Sequence, residues 1–362
     1  MKNILVTGGA GYIGSHIVEQ LIKKKEKVII LDNLVTGYKK LINKNAKFIK
    51  ADIKNKSQII KIIKNNNITS IIHLAASLNI SEAEINKKKY FINNITGTKN
   101  LLDACKNSKV KNILFSSTCN IYGNVKGSVS ENRKPNPGGY YAYTKYKGEE
   151  LIKKLSTKYK FNYGILRYFN VAGASNSGKI GEIETSYGHL IKNLAIKSLE
   201  KKPKVKIFGN NYKTKDGTCI RDYIHVSDLA DIHVKGLNFL NSNNKSFILN
   251  CGYGKGYSVQ QIVDIFKKES FKKLPRFGFL KSRFSYWKIF FLSFFSLKKL
   301  LINQKPNFLI IHLITSLPIF LNFIFKFETK IILRISGYPK LNIFRKYLWK
   351  IMGNKLFKVV CP

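Results

Sequence analysis

A tyrosine and a lysine four residues apart, Tyr141 and Lys145, are the side chains of this 362-residue sequence best suited to acid–base chemistry. They lie in a stretch whose apolar spacing predicts a helix over residues 140–159. Side chains four apart share one face of a helix, so the ammonium group would lie beside the phenol. A neighbouring positive charge favours the phenolate and lowers its pKa. The spacing therefore predicts that Tyr141 acts as a general base near neutral pH.

Tyrosine and lysine at this spacing are common on helices, so the surrounding elements decide what the pair means. A threonine, Thr118, closely follows an apolar run at residues 113–116. Similar strand-like runs at 70–74 and 163–167 alternate with helical patterns, one of them over residues 93–107. That alternation predicts an α/β protein with a doubly wound, parallel sheet of Rossmann type. Ligands of such sheets bind beyond the carboxyl ends of the strands, where Thr118 is expected.

The first 33 residues contain the clearest nucleotide-binding pattern. A β-branched run at 2–7 breaks into the glycine turn GGAGYIG (8–14), a helical pattern follows over 13–24, and a second apolar run ends at Asp32. Strand, glycine turn, helix, strand and terminal acid form the dinucleotide-binding βαβ unit, with the phosphates at the helix N-terminus. A carboxylate at Asp32 accepts hydrogen bonds from ribose hydroxyls and repels a 2′-phosphate, so NAD is predicted rather than NADP.

The extreme charge of the chain points to no particular partner. There are 64 Lys and Arg against 20 Asp and Glu, a formal charge of +44. The lysines are spread along the whole sequence without an RNA- or DNA-binding motif, so no specific nucleic-acid partner is predicted. Five cysteines with no CxxC pair indicate a reducing, cytoplasmic compartment and no structural metal. We interpret His225, Asp228 and His233 as core and capping residues rather than metal ligands.

Seven motifs between residues 8 and 230 narrow the class further. They are GGAGYIGSH (8–16), LDN (31–33), HLAA (73–76), SSTCNIYG (116–123), YAYTK (141–145), RYFNVAGA (167–174) and DGTCIRDYIHVSDLA (216–230). On these motifs residues 1–268 resemble the extended short-chain dehydrogenase/reductase family and, within it, the UDP-glucose 4-epimerases. The last two motifs separate epimerases from other dehydrogenases of this fold.

The resemblance implies a role for each residue at a matching position. NAD would be held by Gly8, Gly11, Tyr12, Ile13, Gly14, Asp32, Asn33, Asp52, Ile53, Ala75, Asn94 and Lys145. The catalytic residues would be Tyr141 as the base, Thr118 as its hydroxyl partner, and Lys145. The UDP-sugar would contact Thr118, Tyr141, Tyr168, Asn170, His189, Leu190 and Arg221. No metal is implied.

The implied activity is that of an isomerase. Reversible, NAD-dependent oxidation would invert C4 of a UDP-hexose through a 4-keto intermediate and interconvert UDP-glucose and UDP-galactose. Related dehydratases carry an Asp-Glu pair after the threonine, where this chain has Cys119 and Asn120, so elimination of water is not expected. The family also implies galactose metabolism or polysaccharide biosynthesis, a cytoplasmic location, and a homodimer formed through the helices at 93–107 and 140–159.

The resemblance ends after a helix predicted over residues 259–268, with Ser258 as its cap. The expected organisation is therefore a NAD-binding Rossmann domain over 1–170, a partial UDP-sugar region over 171–270, and an unrelated α/β tail over 271–362. The substrate region is expected to be truncated, because the loop and closing helices that the family places next do not follow.

The tail leaves several alternatives open. Residues 305–321 and 330–350 resemble a fragment of the N-terminal half of a GT-B-type glycosyltransferase, which suggests that frameshift or fusion joined two partial genes. On that view the chain is a catalytically impaired NAD-binding remnant of an epimerase. The apolar stretch 308–325 has the length of a membrane span, although a proline and a histidine interrupt it. The basic, aromatic segment 277–326 would instead contact anionic lipid weakly.

Overall fold

The computed structural model describes residues 2–183, 189–198, 200, 204–270, 284–306, 308–312, 321, 324–334 and 356–360. The chain divides into two compact units, Met1–Lys272 and Lys273–Pro362, and each is described by itself. The strands of the first unit are β1 (Asn3–Thr7), β2 (Lys27–Asp32), β3 (Lys47–Lys50), β4 (Ser70–His73), β5 (Asn112–Thr118), β6 (Asn162–Tyr168), β7 (Asn170–Ala172), β8 (Ile220–His225), β9 (Phe247–Cys251) and β10 (Gly256–Ser258).

The helices of the first unit cover both faces of its main sheet and also pack against the smaller sheet. They are α1 (Tyr12–Lys23), α2 (Lys56–Asn65), α3 (Ile80–Ile85), α4 (Lys87–Tyr90), α5 (Gly97–Ala104), α6 (Tyr140–Tyr159), α7 (Leu190–Lys197), α8 (Val226–Asn243) and α9 (Val259–Ser270). Two 3₁₀ turns (Lys39–Leu41 and Cys119–Tyr122) and one π-helical turn (Phe91–Thr96) are the other described helical elements of the first unit.

The main sheet confirms the predicted doubly wound α/β fold. Its seven strands are parallel and run in the order β3-β2-β1-β4-β5-β6-β9. The strand order reverses at β1, which lies between β2 and β4, and ligands bind at such a reversal. A smaller sheet has the order β10-β8-β7. The segment 171–270 thus contributes β9 to the main sheet as well as forming most of the smaller one.

Alternating side chains of β1 divide the hydrophobic core into two layers. Leu5 packs with Ile71 on the face covered by α2, α5 and α6. Ile4 and Val6 pack with Leu114 on the opposite face, which α1 and α8 cover. This burial on both faces explains why the strand is apolar at every position rather than at every second one. The two layers hold the carboxyl ends of β1, β4 and β5 at one edge of the sheet.

The structure corrects one predicted helix and confirms another. The helix expected over residues 93–107 is instead the π-helical turn Phe91–Thr96 followed by the shorter α5. Irregular turns of this kind are frequent at functional sites. The helix expected over 140–159 is present with those bounds as α6. Ser258 caps α9 as predicted, because its Oγ accepts a hydrogen bond from the Gln261 N–H at 3.1 Å.

The second unit contains a helix and a parallel sheet. Helix α10 spans Phe284–Gln304, and strands β11 (Phe308–His312), β12 (Lys330–Arg334) and β13 (Leu356–Val360) pair in that order. The apolar stretch at 308–325 thus begins as a strand, while residues 313–320 lie outside the described part. None of the helices among the described residues is long and apolar enough to cross a membrane. The glycosyltransferase resemblance stays a prediction.

Candidate active site

A cavity of about 580 Å³ lies at the carboxyl edge of the main sheet. Its volume is in the usual range for small-molecule sites. The predicted site residues that line it are Gly8, Gly11, Tyr12, Ile13, Gly14, Asp32, Asn33, Ile53, Ala75, Thr118, Tyr141, Tyr168, Asn170, His189 and Arg221. Leu190 lines an adjoining cavity of about 310 Å³. Asp52, Asn94 and Lys145 do not line the cavity described here, and each is placed behind its wall.

The glycine turn between β1 and α1 forms one end of the cavity. Gly8 has a φ of +72°, and a Cβ there would lie 2.9 Å from the backbone nitrogen of Ala75. A Cβ on Gly14 would lie only 2.2 Å from the carbonyl oxygen of Gly8. Gly11 precedes α1 without any side-chain cap, so the first N–H groups of the helix are left to a ligand. This is the cradle that a pyrophosphate requires.

Replacing Gly14 by alanine is expected to destabilise the protein by about 1–3 kcal/mol and to weaken NAD binding, because the new methyl group overlaps rigid backbone. Thermal unfolding and NAD titration measure both effects. Gly138→Ala is the matched control, since its Cβ would meet the Gly123 Cα at 3.4 Å, an ordinary contact. Equal losses in the two variants would show that the close approach at Gly14 has no special role.

Asp32 closes the cavity at the end of β2 and is itself only 7% exposed. One carboxylate oxygen accepts the Ala10 N–H at 3.0 Å, and the other accepts the Leu34 N–H at 2.8 Å. Burial raises the pKa of this carboxyl. Asp52 contacts Asn33 rather than the cavity. Its carboxylate accepts a hydrogen bond from the Asn33 amide at 3.0 Å. Asp52 therefore positions Asn33, and Asn33 lines the cavity.

The predicted catalytic tyrosine and threonine line the same cavity. Thr118 ends β5, and its hydroxyl accepts the Asn120 N–H at 3.2 Å. Tyr141 lies in the first turn of α6 and has Tyr168 and Cys119 as electrostatic neighbours. Burial raises the pKa of the Tyr141 hydroxyl, and these two neighbours raise it further. Both residues thus line one cavity, but the protein side chains by themselves do not favour the phenolate form of Tyr141.

The expectation that Lys145 lowers the pKa of Tyr141 is therefore wrong for the protein side chains alone. Lys145 is 4% exposed, and its Nζ lies 4.3 Å from the centre of the Phe115 ring. Burial lowers the pKa of Lys145 to about 7, while the charge of Glu149 opposes that effect. The ammonium is thus held behind the cavity wall by an aromatic face and a buried carboxylate.

A buried ion pair behind the site was missed from the sequence. Glu149 accepts two hydrogen bonds from Arg167, one from Nε at 3.0 Å and one from Nη2 at 2.7 Å. It also accepts the Ser117 hydroxyl at 2.5 Å, and Arg167 donates to the Tyr122 hydroxyl at 2.7 Å. Neither charged side chain is more than 2% exposed. The available signal was an arginine at the end of an otherwise apolar strand, which requires a partner once buried.

Asn94 fixes the cavity wall from behind rather than lining the cavity. Its side-chain oxygen accepts the Ser77 N–H at 2.8 Å, and its amide donates to the Ser77 carbonyl at 3.1 Å. The same amide donates to the Thr144 hydroxyl at 3.0 Å. The π-helical turn, the β4 loop and α6 are thereby joined at one side chain. Ser77 and Asn93 face the cavity at this point.

Four of the residues expected to contact the substrate line this cavity outside α1, β5 and α6. Tyr168 ends β6, Asn170 begins β7 two residues later, and Arg221 lies on the neighbouring β8. Arg221 is exposed, lines the cavity and donates only to the adjacent Ile220 carbonyl at 3.0 Å among its described hydrogen bonds. His189 precedes α7 and lies 2.6 Å from a Glu182 carboxylate oxygen. An arginine with free donors at this position can hold a diphosphate.

His225 and His233 are capping and core residues, as interpreted from the sequence. His225 caps α8, since its Nδ1 accepts the Ser227 N–H at 3.2 Å. His233 is fully buried, with Nε2 at 2.9 Å from the Ser116 hydroxyl. Within the described ranges, no three His, Cys, Asp or Glu side chains come together as a metal site.

Comparisons with known proteins identify the family of the chain. Residues 4–252 match the NAD dependent epimerase/dehydratase family. The UDP-glucose 4-epimerase of Lactobacillus helveticus is 39% identical over 273 residues, which are 75% of this chain and 83% of that protein. The crystal structure of UDP-glucose 4-epimerase from Brucella ovis in complex with NAD has a TM-score of 0.71 and 34% identity, over 74% of this chain and 82% of that one.

A second solved structure is similar to the same extent. The UDP-glucose 4-epimerase from Stenotrophomonas maltophila, with bound NAD and formylated UDP-arabinopyranose, has a TM-score of 0.71 and 34% identity, over 74% of this chain and 83% of that one. The family match covers more than half of the chain, and the resemblance in sequence and in fold extends over the same part. The chain belongs to the NAD dependent epimerase/dehydratase family.

Proposed function

We propose that this protein is an NAD-dependent isomerase that epimerises C4 of a UDP-hexose and interconverts UDP-glucose and UDP-galactose. The observation that carries the proposal is that Tyr141, Thr118 and Tyr168 line the same cavity as the glycine turn of α1. That turn fits NAD, because Gly8, Gly11 and Gly14 line the cavity and α1 begins there without a side-chain cap on its first N–H groups. When bound, oxidised NAD supplies a hydride acceptor and a positive charge that opposes the effect of burial on Tyr141.

Each protein residue then has a definite task in the reaction. Tyr141 accepts the proton of the 4′-hydroxyl as the C4–H bond is broken, and it returns that proton when the bond is remade. Thr118 hydrogen-bonds the same oxygen and holds it in place. Arg221 keeps the diphosphate bound while the planar 4-keto sugar turns to present its other face. Return of the hydride to that other face would invert the configuration at C4, with Tyr141 giving back the proton to the 4′-oxygen.

The cavity disfavours the dehydratase reaction of related proteins. Elimination of water requires an acid and a base beside the threonine, and the residues that line the cavity there are Cys119 and Asn120. Burial raises the pKa of Cys119 to about 11, so its thiol stays protonated and is a poor base. An asparagine amide neither accepts nor releases a proton near neutral pH. Oxidation followed by reduction at C4 is the reaction that remains.

The test is conversion of UDP-galactose to UDP-glucose by the purified full chain, measured together with its NAD content. We expect product formation and one retained NAD per chain. The alternative, a catalytically impaired NAD-binding remnant, predicts retained NAD with no interconversion of the two sugars. Absence of both NAD and turnover would contradict the assignment of the cofactor site as well.

Asp32 is expected to select NAD over NADP by charge repulsion. In Asp32→Asn the carboxylate is removed while one acceptor remains for the Ala10 N–H, so the ratio of the NADP to the NAD dissociation constant should fall at least about tenfold. Asp103→Asn, which removes a carboxylate paired with Lys56 and Lys99, is the control and should leave the ratio unchanged. An unchanged ratio in Asp32→Asn would place the ribose elsewhere.

The domain roles are proposed on the same basis. Residues 1–170 hold NAD, 171–270 hold the UDP-sugar, and 271–362 form a separate glycosyltransferase-like fragment. The placement of Asp32 in the first segment and of Arg221 in the second supports this division. Removing residues 273–362 should leave NAD retention unchanged, which fluorescence of the bound nucleotide would measure.

Three further assignments concern the surroundings of the protein. A homodimer formed through residues 93–107 and α6 is supported by Tyr143 on α6, which is 39% exposed, and by Phe91, which is 47% exposed just before the first of these segments. Weak contact of the basic tail with anionic lipid is supported by Phe295, which is 67% exposed on α10. Light scattering and liposome sedimentation test these two. A cytoplasmic location is supported by the free cysteines Cys105, Cys119, Cys219 and Cys251.

A further inference from the structure

A chain of buried hydrogen bonds crosses the sheet directly beneath the cofactor end of the cavity. His73, the last residue of β4, is 1% exposed. Its Nδ1 lies 2.7 Å from the Thr7 hydroxyl, and its Nε2 lies 3.0 Å from the Thr98 hydroxyl. Thr7 ends β1 and Thr98 lies in α5, so one imidazole ring joins three elements. The proposed reaction gives this histidine no task.

The groups at the two ends of this series of hydrogen bonds determine the direction of every hydrogen bond in it. Thr98 donates its only hydroxyl proton to the Asn94 carbonyl at 2.5 Å, so it must accept from His73 Nε2–H. Nδ1 then carries no proton and accepts from the Thr7 hydroxyl. The Thr7 oxygen in turn accepts the Ala75 N–H at 3.3 Å. The ring is thereby fixed as the Nε2–H tautomer.

One end of this series of hydrogen bonds, Ala75, lines the cavity, and the other end, Asn94, supports the cavity wall. Ala75 lines the cavity, and its backbone nitrogen would lie 2.9 Å from a Cβ on Gly8, which shows how closely it packs on the glycine turn. Asn94 belongs to the π-helical turn, and its side chain holds both the N–H and the carbonyl of Ser77. Through these hydrogen bonds His73 is connected to both ends of the segment from Ala75 to Ser77.

We propose that His73 is a positioning residue for NAD: its Nε2–H tautomer links Thr7 to Thr98 and so holds the wall from Ala75 to Ser77 against the glycine turn. The proposal rests on the proposed function for the identity of the ligand. A neutral ring is required, because an imidazolium would present a second donor where the Thr7 hydroxyl already donates. Burial and the nearby charge of Lys145 lower the pKa of His73 to about 3, which keeps the ring neutral.

The first test compares two buried histidines in the full chain. His73→Phe keeps an aromatic ring but removes both hydrogen bonds, and we expect the NAD dissociation constant to rise at least about tenfold. His233→Phe is the matched control, since His233 is equally buried and also makes two hydrogen bonds, to Ser116 and Leu229. It should leave NAD affinity unchanged. His73→Gln retains one donor and one acceptor and should recover part of the affinity.

Isosteric threonine variants keep the proposal testable if His73→Phe does not fold. Thr7→Val and Thr98→Val each break the chain on one side of His73, and each should raise the NAD dissociation constant several-fold. Thr69→Val is their control, because its hydroxyl bonds the Asn3 carbonyl at the opposite end of the same sheet region. We expect no change of NAD affinity there.

A spectroscopic measurement tests the hydrogen-bond directions without any ligand. The ¹⁵N shifts of labelled His73 should report a neutral ring protonated at Nε2, and a proton at Nδ1 or on both nitrogens would overturn the proposal. Equal loss of NAD affinity in His73→Phe and His233→Phe would also overturn it, since the effect would then be general destabilisation. Wild-type protein that binds no NAD would instead contradict the proposed function, and the tautomer would still be decided separately.

Discussion

Replacing Tyr141 by phenylalanine is expected to lower kcat for C4 epimerisation by roughly 10³-fold, because the variant keeps the ring but loses the group that accepts the 4′-hydroxyl proton. NAD retention should be unchanged, since the aromatic packing at the cavity wall is preserved. Initial rates with UDP-galactose and the nucleotide content of the purified protein measure the two quantities. A large loss of rate with full NAD content is the combination that identifies Tyr141 as the base.

Tyr143→Phe is the control for this prediction. Tyr143 lies two residues further along α6, stacks on Tyr140 and does not line the cavity described here, so its variant should retain normal turnover. Unchanged turnover in Tyr141→Phe would place the base elsewhere. Loss of NAD from Tyr141→Phe would show that the tyrosine supports cofactor binding rather than proton transfer.

Removing the buried carboxylate of Glu149 is expected to cost about 3–5 kcal/mol of folding stability, because the Arg167 guanidinium is then left buried without a counter-charge. For a unit of this size the melting temperature of Glu149→Ala should fall by roughly 10 °C. Thermal unfolding followed by circular dichroism measures the shift. The same variant leaves the Ser117 hydroxyl, next to Thr118 at the end of β5, without its acceptor.

The neighbouring residue provides a matched control. Glu150 is partly exposed and pairs with Lys147 at 2.7 Å on the surface, so Glu150→Ala should cost less than about 1 kcal/mol. Replacing both partners, in Glu149→Leu combined with Arg167→Met, should be less destabilising than Glu149→Ala alone. Equal melting temperatures for Glu149→Ala and Glu150→Ala would show that the buried pair contributes little.

The parts of the fold set by local patterns were predicted correctly. The glycine turn, Asp32 and helix α6 follow from spacings within a few residues, and the structure has them where they were expected. The contribution of β9 to the main sheet was not predicted. It depends on pairing between Gly164–Tyr168 and residues more than 80 positions away, which no local period reveals.

The electrostatics of the site, likewise, could not be predicted from local spacing in the sequence. The spacing of Tyr141 and Lys145 gave their common helix face, but it did not show that Lys145 would rest on Phe115 or that burial would raise the pKa of Tyr141. The contact of Glu149 with Ser117 and the contact of His73 with Thr7 join residues 32 and 66 positions apart. Contacts between residues so far apart in sequence can be seen only when the positions of the strands and helices in the fold are known.

The most direct test of the proposed reaction uses UDP-galactose carrying deuterium at C4. The full chain, purified without added NAD, should form UDP-glucose that keeps the deuterium at C4, because the hydride leaves and returns within one active site. Mass spectrometry and proton NMR of the product measure its position. Product that has lost the deuterium to solvent, a 4-keto-6-deoxy sugar formed by elimination, or no product from NAD-containing protein would each contradict C4 epimerisation by transient oxidation.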